Sequence, residues 1–349
     1  MTAGLFIRAA GMVTAVGLDC ASSCAAMRAR LDGFAETRFV GGDGWLIGAQ
    51  VPLPRNWIGS VRMARLLAGA IAEVFRKVPE AEADAALIVC LAEESRPGRP
   101  VQDPVAMLRQ LSEIIGLPAH TKTRIIAHGR PSGFVALQQA RRLMADGAGY
   151  VVITGVDSYL TTLSAAHYLA EERILIPGNA NGFIPGEAAA AVLCSATEGP
   201  LCLTGLGLAR EEAFIYNGMG ESEGEHLPLR GNGMTRAYWI ALEQARTDFE
   251  HVEYRIADLI GESYFFKQSA LASIRVDSGH REIREIWSPG ENLGNVGAAV
   301  VPLMMGMALT AVQKGYACGS PVLIEASGDD GACGAAVLHS VRAKMQGPA

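Results

Sequence analysis

Disulfide and metal spacing is missing from this chain. Its seven cysteines, from Cys20 to Cys333, are odd in number, include no CxxC pair and sit mostly in apolar segments. That excludes a disulfide framework and a zinc ribbon, and it predicts reduced thiols in the cytoplasm. There is no basic surplus: the net charge is −6 and the lysines and arginines are dispersed, so neither nucleic acid nor a membrane surface is expected as a partner. The N-terminus Met1-Thr2-Ala3-Gly4-Leu5-Phe6-Ile7 has no basic region ahead of a long apolar one, and it reads as a first strand rather than an export signal. The longest apolar run, Val296 to Val312, contains small residues and Pro302 and falls short of the roughly 20 residues of a spanning helix. It is expected to be a buried core helix.

Aromatics are scarce as well, at 6%, while 40 glycines and a 50% hydrophobic content are present. A chain of 349 residues with this make-up is long enough for one large α/β unit or two fused half-domains, with Ala, Val and Leu filling the interior. Strand-like runs at Ala85–Cys90, Thr123–Ala127, Tyr150–Gly155 and Ala188–Cys194 alternate with helical stretches at Arg62–Lys77, Pro104–Gly116 and Phe134–Asp146. This alternation is the mark of βαβ units. After Glu198-Gly199-Pro200 a new strand, Leu201–Leu208, opens a second set of elements that ends in strands at Pro321–Ala326 and Ala335–His339. A Gly-rich turn, an apolar helix and a β-branched strand follow each other in Gly133–Val156 and again in Gly294–Glu325, so the chain is divided into halves 1–199 and 200–349. Tyr216–Arg230, with its glycines and glutamates, reads as a surface loop over the second half.

Several residues invite chemistry. Ser132 could be a nucleophile with His128 as its base, though a serine there more often caps the following helix. Cys333 reads as a buried filler, Cys20 and Cys24 as one helix face in the core, and His226 and His251 as solvated residues among acids. Asp329 and Asp330 read as capping or water-facing carboxylates, and no metal signature is visible. Gly205-Leu206-Gly207-Leu208-Ala209-Arg210 lacks the third glycine and the acid of a dinucleotide loop and reads as a turn.

Three segments then carry a resemblance. Gly129-Arg130-Pro131-Ser132-Gly133-Phe134-Val135-Ala136-Leu137 looks like the nucleophile elbow of a condensing enzyme. The run from Ser132 to Tyr150-Val151-Val152-Ile153-Thr154-Gly155-Val156-Asp157 continues it, and Asn181-Gly182-Phe183-Ile184-Pro185-Gly186-Glu187-Ala188-Ala189 is similar to D-G-F-x-x-G-E-G-A. The N-terminal Ala9-Ala10-Gly11-Met12-Val13-Thr14-Ala15-Val16-Gly17 adds weaker support. The whole chain resembles the β-ketoacyl synthase branch of the thiolase-like condensing enzymes, although it is shorter than a typical member. The resemblance implies a thiolase-like α/β fold of two pseudo-symmetric halves, each a mixed five-stranded sheet between helices. It also implies a homodimer paired through a first-half strand.

The reactive positions of that family are altered. Arg130 stands where the resemblance puts the nucleophilic cysteine, and a guanidinium, unlike a thiolate, offers no lone pair at accessible pH. By register Ile260 and Glu291 stand for the two histidines, Ile286 for the lysine, and Gly328-Asp329-Asp330-Gly331-Ala332-Cys333-Gly334 puts an acid where a gatekeeping phenylalanine belongs. Because such groups act as one unit, their joint loss leaves no condensation mechanism. An arginine at a helix N-terminus opposes the macrodipole, and an ion pair between Arg130 and Glu291 is the expected compensation. The expected function is a non-catalytic ketosynthase-like accessory subunit, scaffold or adaptor. Its partner would be a carrier protein, an active ketosynthase paralogue or a secretion effector. The alternatives are an acyltransferase or hydrolase working through Ser132, or a binder of acyl thioesters or acyl carriers. No cofactor or metal is expected.

Overall fold

The computed structural model describes residues 4–41, 44–116, 123–217, 227–277 and 285–341. The first half runs β1 (Phe6–Val13), α1 (Cys20–Arg28), the hairpin β2 (Phe34–Gly41) and β3 (Gly44–Ala49), α2 (Gly59–Lys77), β4 (Ala86–Cys90), α3 (Pro104–Ile115), β5 (Arg124–Ile126), α4 (Ser132–Ala145), β6 (Tyr150–Ser158), α5 (Thr162–Ala170) and β7 (Glu187–Ser195). The second runs β8 (Leu201–Arg210), α6 (Asn232–Ala245), β9 (Tyr254–Ala257), α7 (Ser263–Val276), β10 (Ile286–Trp287), α8 (Gly290–Leu293), α9 (Val300–Lys314), β11 (Val322–Ser327) and β12 (Ala332–Ser340).

Ten strands form one sheet in the order β10-β9-β11-β12-β8-β1-β7-β6-β4-β5. Read outward from its middle, the first half is β1-β7-β6-β4-β5 and the second β8-β12-β11-β9-β10, the same order repeated. In both, the outer three strands are parallel and the inner two antiparallel. The two five-stranded sheets join through one strand pair, β1 with β8, in which Phe6 pairs with Cys202 and Ile7 with Leu201. Two halves with identical connectivity are what the internal echo in the sequence anticipates.

Both half-sheets turn one face to a shared interior, where α1, α4 and α9 pack against residues such as Ile88, Ile153, Ile256, Ile324 and Ala336. The opposite face of the first half is covered by α2 and α3, and that of the second by α6. The span Gly297–Lys314 is apolar enough to cross a membrane, but 83% of it is buried inside the protein. Helix α9 is buried without a break from Val300 to Ala311, and a helix apolar all round belongs in such an interior.

Gly205–Arg210 is not a turn but the continuation of β8. Its glycines serve packing: a Cβ on Gly205 would lie 1.8 Å from the Ala241 carbonyl oxygen, and one on Gly207 1.9 Å from that of Ala237. Helix α6 therefore rests directly on the strand's backbone, and that spacing has no need of a nucleotide to explain it.

Candidate functional site

The parallel strands end at one edge of the central helix layer, and the segments that follow them converge there. After β5 the chain turns at Gly129, whose φ of +62° suits glycine, with Gly129 N–H donating to Leu91 O and Ser132 N–H to Gly129 O. This turn delivers Arg130 to the N-terminal end of α4, where its side chain is 1% exposed.

Arg130 does not meet Glu291. Its Nη1 donates to Asp258 Oδ2 at 3.1 Å, its Nη2 donates to Asp329 Oδ1 at 3.2 Å, and its Cζ lies 3.9 Å from the centre of the Phe265 ring. Glu291 is exposed on α8. The reason lies in strand register: β9 ends at Ala257, so Asp258, hydrogen-bonded through its N–H to Glu325 O, is the residue that emerges opposite Arg130. Ile260, two residues on, is 3% exposed and joins an apolar cluster with Tyr159, Phe183 and Phe265. Ile286 lies on the outermost strand at 39% exposure.

Asp329 belongs to the tight β11–β12 turn and does not face water: its side chain is 20% exposed and receives a second arginine. Arg173, just after α5, donates from Nη1 to Asp329 Oδ2 at 2.7 Å and grips Glu262 through Nε and Nη2 at 2.7 and 2.8 Å. Its Nη1 also reaches the Tyr216 hydroxyl at 2.5 Å, tying the start of the loop after β8 to the site. Residues 218–226 of that loop, His226 among them, lie outside the described residues. His251 is exposed, and Asp330 turns outward to accept from Ala332 N–H.

The result is a buried cluster of two arginines and three acids. Each of its four ion pairs joins a first-half arginine to a second-half carboxylate. Burial alone would lower the pKa of the Arg130 guanidinium, but the charges of Asp258 and Asp329 outweigh it and raise it above the ordinary arginine value. Burial likewise pushes Asp329 up, and Arg173 and Arg130 together bring it below the ordinary carboxylate range. For Asp258 and Glu262 burial prevails over their arginines, and both are raised.

Beside this cluster Arg96 grips Asp157 with two hydrogen bonds, one of them 2.9 Å, and lies 4.1 Å from the Tyr159 ring centre. Asp157 in turn accepts from Ala298 N–H at the entry to α9.

Ser132 is fully buried and caps nothing in α4, whose N-cap Pro131 makes no side-chain bond. Its Oγ accepts the His128 backbone N–H at 3.0 Å, and the His128 residue itself is exposed. Among the described residues no imidazole hydrogen-bonds to the hydroxyl, which faces the Leu91 carbonyl oxygen instead. Cys333 is buried with its thiol pushed up, chiefly by burial, and Cys20 and Cys24 face the core, where Cys20 Sγ meets Thr310 Oγ1 at 3.3 Å. Arg173, Asp258 and Phe265 were not legible as site residues. Only the end of β9, a strand of four residues, could have pointed to Asp258 in advance.

The fold is the one seen in solved ketosynthases. A ketosynthase solved in complex with its chain length factor, from Xenorhabdus doucetiae, superposes with a TM-score of 0.74 at 15% identity, over 97% of this chain and 98% of that one. The ishigamide ketosynthase/chain length factor gives 0.76 at 16% identity, over 98% and 100%. A type II polyketide synthase acyl-carrier protein in complex with its ketosynthase gives 0.78 at 14% identity, over 98% and 100%. No family model and no curated protein matches the chain.

Proposed function

We propose that this chain is a ketosynthase-like protein that performs no condensation and works by binding another protein, as an accessory subunit or adaptor in the cytoplasm. The observation that carries this reading is Arg130: a buried, permanently charged side chain at the nucleophile position, fastened by two carboxylates and an aromatic face. A thioester carbonyl finds no attacking lone pair there, because Arg130 is held between α4, β9 and the β11–β12 turn by paired charges. The partner we favour is a protein of the ketosynthase kind, since solved proteins of this fold include ketosynthases held with a chain length factor. Strand β5, outermost in the first half and with Arg124 and Ile125 exposed, is the sheet edge on which such pairing would occur.

Intact-mass measurement after incubation with acyl-CoA and acyl-carrier thioesters tests the first part: no adduct is expected. A stoichiometric acyl adduct lost in Ser132→Ala would restore an acyltransferase or hydrolase acting through Ser132. Light scattering of the protein alone, and mixed with a ketosynthase, tests the second. A stable mixed dimer supports a ketosynthase partner, whereas a self-sufficient homodimer that ignores the ketosynthase overturns that choice in favour of an adaptor for another protein.

A further inference from the structure

The two positions that sequence register assigns to catalysis and the fold moves elsewhere, Ile286 and Glu291, open onto a different cavity. It measures ≈ 530 Å³ and lies between α1 with its following turn, the β10–α8 segment and the C-terminal end of α9. That volume falls in the range of small-molecule sites. Its inner wall is apolar and sulfur-rich: Cys24, Met27 and Met307 are each under 10% exposed, with Trp287 and Tyr316 beside them, ring centres 6.1 Å apart.

Four charges face this space, and they divide by side. Arg28 and Arg30 come from the end of α1, Glu285 and Glu291 from β10 and α8. Among the described residues none of the four forms an ion pair. Two of them are nevertheless held in place. The Arg28 guanidinium carbon lies 4.3 Å from the centre of the Tyr316 ring. Glu285 accepts Trp287 Nε1–H at 2.8 Å and the Cys318 thiol at 3.0 Å, bonds that keep it ionised below the usual carboxylate range, with Arg30 adding to the effect. Arg28 and Glu285 are thus each fixed by a neutral neighbour rather than by an ion pair, and both line the same cavity. A ligand carrying both charges would fill it.

We propose that this cavity binds a free amino acid with an unbranched apolar side chain, its carboxylate on Arg28 and Arg30, its ammonium on Glu285 and Glu291, and its side chain against Met27, Met307 and Trp287. Thioether and ring-edge surfaces suit such a flexible chain. The site stands apart from the Arg130 cluster, and its existence does not depend on the partner-binding function.

Titration calorimetry with L-methionine, N-acetyl-L-methionine and L-methioninamide tests it on the full chain. L-Methionine is expected to bind saturably, and each analogue, having lost one charge, about tenfold or more weakly. Glu285→Gln and Arg28→Gln replace exposed side chains and are expected to leave the melting temperature unchanged while weakening L-methionine by about tenfold. Equal binding of all three compounds, indifference to both variants, or no saturation by about 10 mM would each overturn the proposal.

Discussion

The two halves share one strand order and one placement of helices, yet they meet the central edge of the molecule with opposite chemistry. The first half contributes Arg130 and Arg173, and the second Asp258, Glu262 and Asp329. Deeper in, α4 and α9 share one buried apolar cluster, Phe134 and Leu137 with Val301 and Met305 among its members. The contrast shows how a duplicated architecture can be fastened twice, once by burial of apolar surface and once by charges that match only across the pseudo-symmetry. The second fastening occupies the place where the resemblance expects a reaction.

The comparison can be broken most severely at Arg130. Arg130→Ala leaves Asp258 buried without a cation, which costs about 3–5 kcal/mol. The double variant Arg130→Met with Asp258→Leu exchanges the pair for apolar volume and should recover most of that loss in urea unfolding. A single variant as stable as the parent would mean that water reaches Asp258. The apolar contacts can be probed at Gly207→Val, whose side chain must displace the α6 backbone. About 1–3 kcal/mol of overpacking is expected, measured by the same unfolding, against little change for Gly149→Val, which has open space around it.

The sign of the charge fastening can be read from pH. Asp329 has its pKa lowered in the folded state from an ordinary value of 3.8. Its stabilising contribution is therefore complete above that value and is lost as pH falls through the lowered one. The stability gap between the parent and Asp329→Asn should stay constant from neutrality down to about pH 4 and close below it. A gap that closes already near pH 6 would show that Asp329 is not held by the arginines. The smallest effect belongs to the exposed pair Arg8–Glu80 at 2.8 Å: Glu80→Ala should change stability by less than about 1 kcal/mol, and less still in high salt.

Much of the architecture was legible because hydrophobic periodicity and glycine placement are local. The stretches Ala85–Cys90, Arg62–Lys77 and Leu201–Leu208 appear as β4, α2 and β8 within a few residues, and the repeated turn–helix–strand appears as α4–β6 and α9–β11. The hairpin β2–β3 escaped notice because its exposed Val40, Trp45 and Ile47 blur the alternation that marks a half-buried strand. The glycines of β8 misled for the opposite reason: they look like loop residues until a helix is seen lying on them.

What the sequence by itself determined is chemical identity: an arginine cannot be the nucleophile in any fold, and seven cysteines without paired spacing make no disulfide framework. Which acid neutralises that arginine was decided by tertiary structure alone. Sequence register pointed to Glu291, but a strand ending at Ala257 turns Asp258 inward, and Asp329, in the turn between β11 and β12, arrives from 199 positions away. Ion pairing between halves depends on where strands stop and how sheets join. Those are properties of the packed chain, and no short stretch of residues encodes them.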